Sequence, residues 1–172
     1  MDQPERPLSI DIDVRAEAWR EAVGDPEAVC EAAAVSAYRS VTDAPSRGVL
    51  SVLLSDDDEI AELNKVFRKR DGATNVLSFP AGDAYPDGSV MLGDIAVAFD
   101  TVRDEAARDG RTVADHLSHM IVHGVLHLLG FDHESDAEAD AMEKLEVMAL
   151  GRLGIGDPYA DGEGAGKGGA TS

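Results

Sequence analysis

The chain has 172 residues and a formal charge of −19, with 15 basic residues set against 34 acidic ones. That length predicts a single domain with room for a core, and the charge opposes indiscriminate binding to nucleic acid. The single cysteine, Cys30, excludes an internal disulfide framework and a cysteine-rich zinc site, and no apolar run is long enough to span a membrane.

The first residues, Met1 to Arg6, are acidic and lack the basic start and apolar core of a signal peptide, so the expected compartment is the cytoplasm. Leu8, Ile10, Ile12 and Val14 alternate with polar residues, which predicts a half-buried strand. An alanine-rich helix is expected from 26 to about 42, with Cys30 as a buried bystander. Residues 48–54 are apolar and β-prone, a second strand. Ser55 and the acidic run 56–59 suit a helix N-terminus, where carboxylates meet the positive end of the dipole; Ile60, Leu63 and Phe67 supply its apolar face. Four basic residues, Lys65, Arg68, Lys69 and Arg70, cluster beyond that run. Residues 76–79 predict a short strand stopped by Pro80, and 81–89 a loop rich in turn residues. Residues 91–99 predict another strand, and Asp100 is expected to cap a short helix ending at Gly110. Thr112 with Asp115 opens a long helix running to Leu129. Ser135 with Glu138 opens the last helix, whose apolar side is read as Met142, Leu145, Met148 and Leu153. Residues 160–172 are glycine-rich without bulky apolar side chains and read as a disordered tail, which leaves 1–159 as the domain. Strands interleaved with helices, ending in two helices, predict an α/β or α+β domain with one small sheet.

All five histidines fall between His116 and His133. His123 and His127 stand four apart and share one face of the predicted helix. A continued helix could not deliver His133 to that face, because six residues rotate it by about 600° and carry it about 9 Å along the axis. Gly130 offers the left-handed conformation that ends a helix and reverses the chain, so His133 can return to the other two. Three imidazoles suit zinc, and also nickel or copper. They leave a fourth tetrahedral position for water, the arrangement of a catalytic zinc, whose bound water ionises near neutral pH. Other choices remain open: His119 with His123 is a second four-residue pair, and His116 with His119 is spaced by three. The turn at Gly130 favours His123, His127 and His133, which makes His116 and His119 packing or supporting groups. A closed structural zinc would need a fourth ligand, from Asp132 or His119. Gly124 stands where a metallopeptidase would place its glutamate base, so the His-Glu-x-x-His mechanics are absent.

At these residues the chain resembles the YbeY family, bacterial metal-dependent endoribonucleases of ribosomal RNA maturation. The family motif His-Gly-x-Leu-His-Leu-x-Gly-Tyr-Asp-His is matched from His123 to His133, with Phe131 in place of tyrosine. The segment from Arg68 to Pro80, which includes Thr74-Asn75-Val76-Leu77-Ser78-Phe79-Pro80, is similar to a second family element. Leu92-Gly93-Asp94-Ile95 resembles a third, and Gly156-Asp157-Pro158-Tyr159 a common C-terminal ending. The resemblance covers about 8 to 159. It implies a zincin-like α+β domain with a small mixed sheet, one Zn2+ held by His123, His127 and His133, and a functionally important arginine at Arg68. It also implies cleavage of single-stranded RNA in maturing the 3′ end of small-subunit ribosomal RNA and in ribosome quality control. The partners it implies are ribosomal RNA, the ribosome and ribosomal proteins, with no membrane and no DNA.

The physical reading meets that implication at Arg68. A phosphodiester gains negative charge during hydrolysis, and a guanidinium offers a planar fork of donors to its oxygens. Lys65, Lys69 and Arg70 can steer the strand. The residues identify no general base; Asp132 and Asp94 are both candidates to orient a ligand imidazole, and Asp132 equally reads as a turn cap. Two other function classes stand beside the nuclease: a metallohydrolase of another kind, such as a peptidase or amidase, disfavoured by Gly124, and a ribosome-assembly binding protein with a structural metal, disfavoured by the open ligand count.

Overall fold

The computed structural model describes residues 8–68, 74–132 and 134–159. Four strands form one mixed sheet: β1 (Leu8–Val14), β2 (Gly48–Ser55), β3 (Val76–Ala84) and β4 (Val90–Ala98), in the order β1-β2-β4-β3. The first two pairings are parallel and β3 runs antiparallel to β4, so the domain is α+β with a mixed sheet.

The alternation of the strands divides the core. Leu50, Val52, Leu54, Ile95 and Val97 face helices α2 (Pro26–Arg39), α5 (Val113–Leu128) and α6 (Asp136–Arg152) in the main core. On the other face Leu53, Leu77, Ala96 and Ala98 receive Ile60 and Leu63 of α3 (Asp57–Arg68). Phe67 stays largely exposed and meets the ring of Phe79 edge-on at 5.7 Å. Cys30 is buried in α2, and burial pushes its thiol up to about 12, which keeps it inert.

Helix starts follow the capping residues closely. Thr112 accepts from Asp115 N at 3.0 Å to open α5, and Ser135 accepts from Glu138 N at 3.1 Å to open α6. Asp100 is a correction. It does not cap its own helix, α4 (Phe99–Asp109); its carboxylate accepts from Asp57 N at the start of α3. Asp57 in turn accepts from Thr101 N and Thr101 Oγ1. The two helix N-termini therefore satisfy each other's free amides across space.

Three further elements differ from expectation. The short helix α1 (Ala18–Val23) has no side-chain cap; it forms because Trp19 is fully buried and donates Nε1–H to Ser55 O at 2.9 Å. α2 ends at Arg39, short of the expected 42. Strand β3 passes through Pro80, with a register shift between Pro80 and Asp83. Because β3 is an edge strand, the missing proline N–H breaks no ladder bond on that side.

Candidate metal centre

Helix α5 carries His116, His119, His123 and His127. Their spacings of three, four and four place them within an arc of roughly 80° on the helix surface. The opposite flanks, Leu117, Ile121, Val122, Val125 and Leu126, are fully buried in the main core. The helix ends as Gly130 requires: φ is +105° there, Gly130 N donates to His127 O at 3.0 Å and Phe131 N to Leu126 O at 3.1 Å. This pair of bonds is the Schellman closure, which satisfies the last carbonyls and turns the chain back on itself.

Within the stripe the surroundings change from one end to the other. His116, whose side chain is 7% exposed, bonds through Nε2 to Glu105 Oε1 of α4 at 2.8 Å. Burial lowers its pKa, and the bond to Glu105 only partly opposes this, so the ring is neutral and donates. Glu105 also accepts from Asn75 Nδ2 at 3.1 Å, and Asn75 O accepts from Ala98 N at 3.0 Å. One turn further on, His119 bonds through Nε2 to Glu146 Oε1 at 3.1 Å. His123 bonds through Nδ1 to Glu146 Oε2 at 2.6 Å, and its side chain is 28% exposed. Tyr159 O–H donates to the same carboxylate. Burial raises the Glu146 carboxyl, but hydrogen bonds from His119 and His123 outweigh it and hold the group at about 2. Burial and the adjacent Glu146 charge raise the Tyr159 hydroxyl well above its ordinary value, so it remains a donor.

Glu146 escapes a reading of the sequence because a glutamate in a helix is normally solvated. Its position carried a signal: Met142, Glu146, Ala149 and Leu150 are spaced as one buried stripe of α6. Met148, read earlier as part of the apolar side, is 47% exposed.

The structure sets His123 and His127 one turn apart on the same face, both partly exposed. His133 lies outside the described residues, as do the Arg68 side chain and residues 69–73. Among the described residues no three His, Cys, Asp or Glu side chains assemble as a metal-holding group. The donors that are described are of a kind that suits a divalent transition metal: a carboxylate on Nδ1 of His123 favours the tautomer whose Nε2 has ligand character. Asp94 is exposed on β4, in register with Phe79, and Asp132 is partly buried just past the Schellman turn.

Gly124 has a steric reason. A Cβ there would sit 2.8 Å from Cδ1 and 3.1 Å from Cγ1 of Ile95, which is fully buried. The glutamate of a His-Glu-x-x-His peptidase therefore has no room between α5 and β4. Beside the end of α5 lies a cleft of about 300 Å³, lined on one part by Val41, Ala44, Pro45, Leu129, Phe131 and Leu145 and on another by the polar Ser40, Thr42 and Asp43. Phe131, in place of the family tyrosine, presents a wholly apolar ring to it.

The same residues place the chain among known proteins. It is 46% identical over 160 residues to Endoribonuclease YbeY of Paramagnetospirillum magneticum, covering 90% of this chain and 97% of that one. It is 44% identical over 165 residues to Endoribonuclease YbeY of Jannaschia, covering 88% and 100%. The solution structure of TM1509 from Thermotoga maritima superposes with a TM-score of 0.52 at 25% identity, over 92% of this chain and 99% of that one. The sequence profile of the Endoribonuclease YbeY family matches residues 17–154, and the chain belongs to that family.

Proposed function

We propose that this protein is a metal-dependent endoribonuclease that cuts single-stranded RNA, with His123, His127 and His133 as metal ligands and Arg68 as the catalytic residue that stabilises charge on the phosphate. The observation that carries the reading is the histidine motif on α5, closed by a Schellman turn whose next residues lead to His133. Membership of a family whose relatives carry the endoribonuclease name supports the reaction class.

His123, His127 and His133 would hold a divalent metal, with Zn2+ the expected ion at one per chain, which would supply Lewis-acid polarisation of a phosphate oxygen and a more acidic water. The chain supplies the rest. Its imidazoles must be neutral to bind, so metal affinity falls as the solution is acidified. Arg68 ends α3, and a guanidinium is by its chemistry a planar fork able to donate two parallel bonds to a phosphate. Within the cleft beside α5, the Phe131 ring gives a base a surface to pack on.

The substrate class is ribosomal RNA, in maturing the 3′ end of small-subunit ribosomal RNA and in ribosome quality control, in the cytoplasm. The charge of −19 supports a helper. A chain this acidic binds free RNA weakly and with steep salt dependence, so ribosomal proteins or the ribosome itself help place the strand. The catalytic domain is assigned to residues 1–159, and the glycine-rich residues 160–172 are set outside it. The test is cleavage of single-stranded RNA by the purified full chain: activity that chelator abolishes and zinc restores supports the reading. Activity that persists in chelator and in His127→Ala identifies a contaminating ribonuclease and counts against it.

A further inference from the structure

We propose that Glu146 is the positioning residue of the metal centre, holding the His123 proton on Nδ1, and that Tyr159 and His119 lock Glu146 in place, making the C-terminal segment a working part of that centre. The proposal rests on the reading of His123 as a ligand.

Glu146 is 1% exposed and carries a negative charge among Met142, Ala149 and Leu150. A buried carboxylate is costly unless its oxygens are satisfied. Here three donors converge on it: His123 Nδ1 on one oxygen at 2.6 Å, and His119 Nε2 with the Tyr159 hydroxyl on the other. The bond to His123 is the one that matters for chemistry. A ring that donates from Nδ1 keeps its lone pair on Nε2, and an imidazole held this way has its orientation and basicity set before any metal arrives.

The other two donors explain the end of the domain. Tyr159 is 46% exposed, so burial of its ring does not account for its place. Its hydroxyl nevertheless reaches the carboxylate, and its ring meets His119 edge-on at 5.6 Å. The segment leading to it is held by Arg111 and shaped by a local turn. Arg111 Nη2 donates to Pro158 O at 2.9 Å, and Tyr159 N donates to Asp157 Oδ1 at 2.7 Å. His119 is thereby spent as a support: its Nε2 faces Glu146.

The experiment uses the full chain, zinc competition against a chromophoric chelator, and long-range proton–nitrogen spectra of the histidine rings without metal. Wild type is expected to show the His123 proton on Nδ1. Glu146→Gln is expected to weaken zinc binding by about 10–100-fold. Tyr159→Phe, which removes only a hydroxyl at a half-exposed site, is expected to weaken it by roughly 2–10-fold. A His123 proton on Nε2 in folded wild type overturns the proposal, as does zinc affinity unchanged in both variants. If Glu146→Gln fails to fold, the wild-type spectrum and Tyr159→Phe decide. Absence of zinc binding by wild type would remove the ligand reading along with the proposal, whereas tight wild-type binding with unaffected variants removes the positioning role alone.

Discussion

Along α5 the histidines fall into two pairs with the same side chain and different surroundings. His116 and His119 turn Nε2 toward Glu105 and Glu146, and His116 is almost fully buried. His123 is more open, and its bond to Glu146 uses Nδ1 rather than Nε2. His127 follows one turn on, beside the Schellman closure. Three of the four imidazoles on this stripe are thus sorted by which nitrogen a carboxylate engages, and the rings differ in how deep they lie. Histidine spacing alone does not make that distinction; the neighbouring helices α4 and α6 do.

The largest expected effect tests the sorting directly. His127→Ala should weaken zinc binding by more than ~100-fold, a greater loss than for a supporting residue, while His116→Gln should change it by less than ~3-fold. Chelator competition on both variants reads the contrast, and equal losses would break it. Next, Arg68→Ala should lower RNA cleavage by about 10²–10³-fold, the usual cost of removing one charge-stabilising donor, with zinc content unchanged by metal analysis. Loss of zinc in that variant would move Arg68 from substrate to fold.

A smaller effect concerns how α5 is seated. Gly124→Ala gains about 1 kcal/mol of helix propensity, but its Cβ would press on Ile95. Overpacking of this kind costs about 1–3 kcal/mol, so denaturant titration should show a net loss. Gly124→Ala with Ile95→Val, which removes the nearest methyl, should recover part of it. The smallest effect is a pH slope. Burial lowers the folded pKa of His116 below its ordinary value, with Glu105 and Asp109 of α4 opposing and His119 adding to the shift. The unfolded chain therefore takes up this proton at higher pH than the folded one. The stability it confers is present above ~6.5 and declines as pH falls below that value. Thermal melts of the metal-free protein between pH 7 and 5 should show a shallower slope in His116→Gln.

These outcomes also mark what the sequence could and could not convey. Thr112, Ser135 and Gly130 act within a few residues of themselves, so the helix limits around the histidines were legible: capping and the left-handed turn are local physics. Features that depend on a distant partner were not. Pro80 reads as a stop until β3 is known to be an edge strand. Asp100 reads as a cap for its own helix until α3 is seen to offer its free amides. α1 has no capping signal because a buried tryptophan bonded to Ser55 holds it. Glu146 reads as a solvated charge until α6 packs its stripe against α5. The motif therefore announced its ligand candidates, while their support came from residues 23 or more positions away in the chain.

The most direct measurement is X-ray absorption at the zinc edge of the zinc-loaded full chain. Three histidine nitrogens and one light-atom ligand from solvent are predicted, with the histidine scattering reduced by a third in His133→Ala. A fourth protein ligand in the wild type, or scattering unchanged in that variant, would contradict an open three-histidine centre.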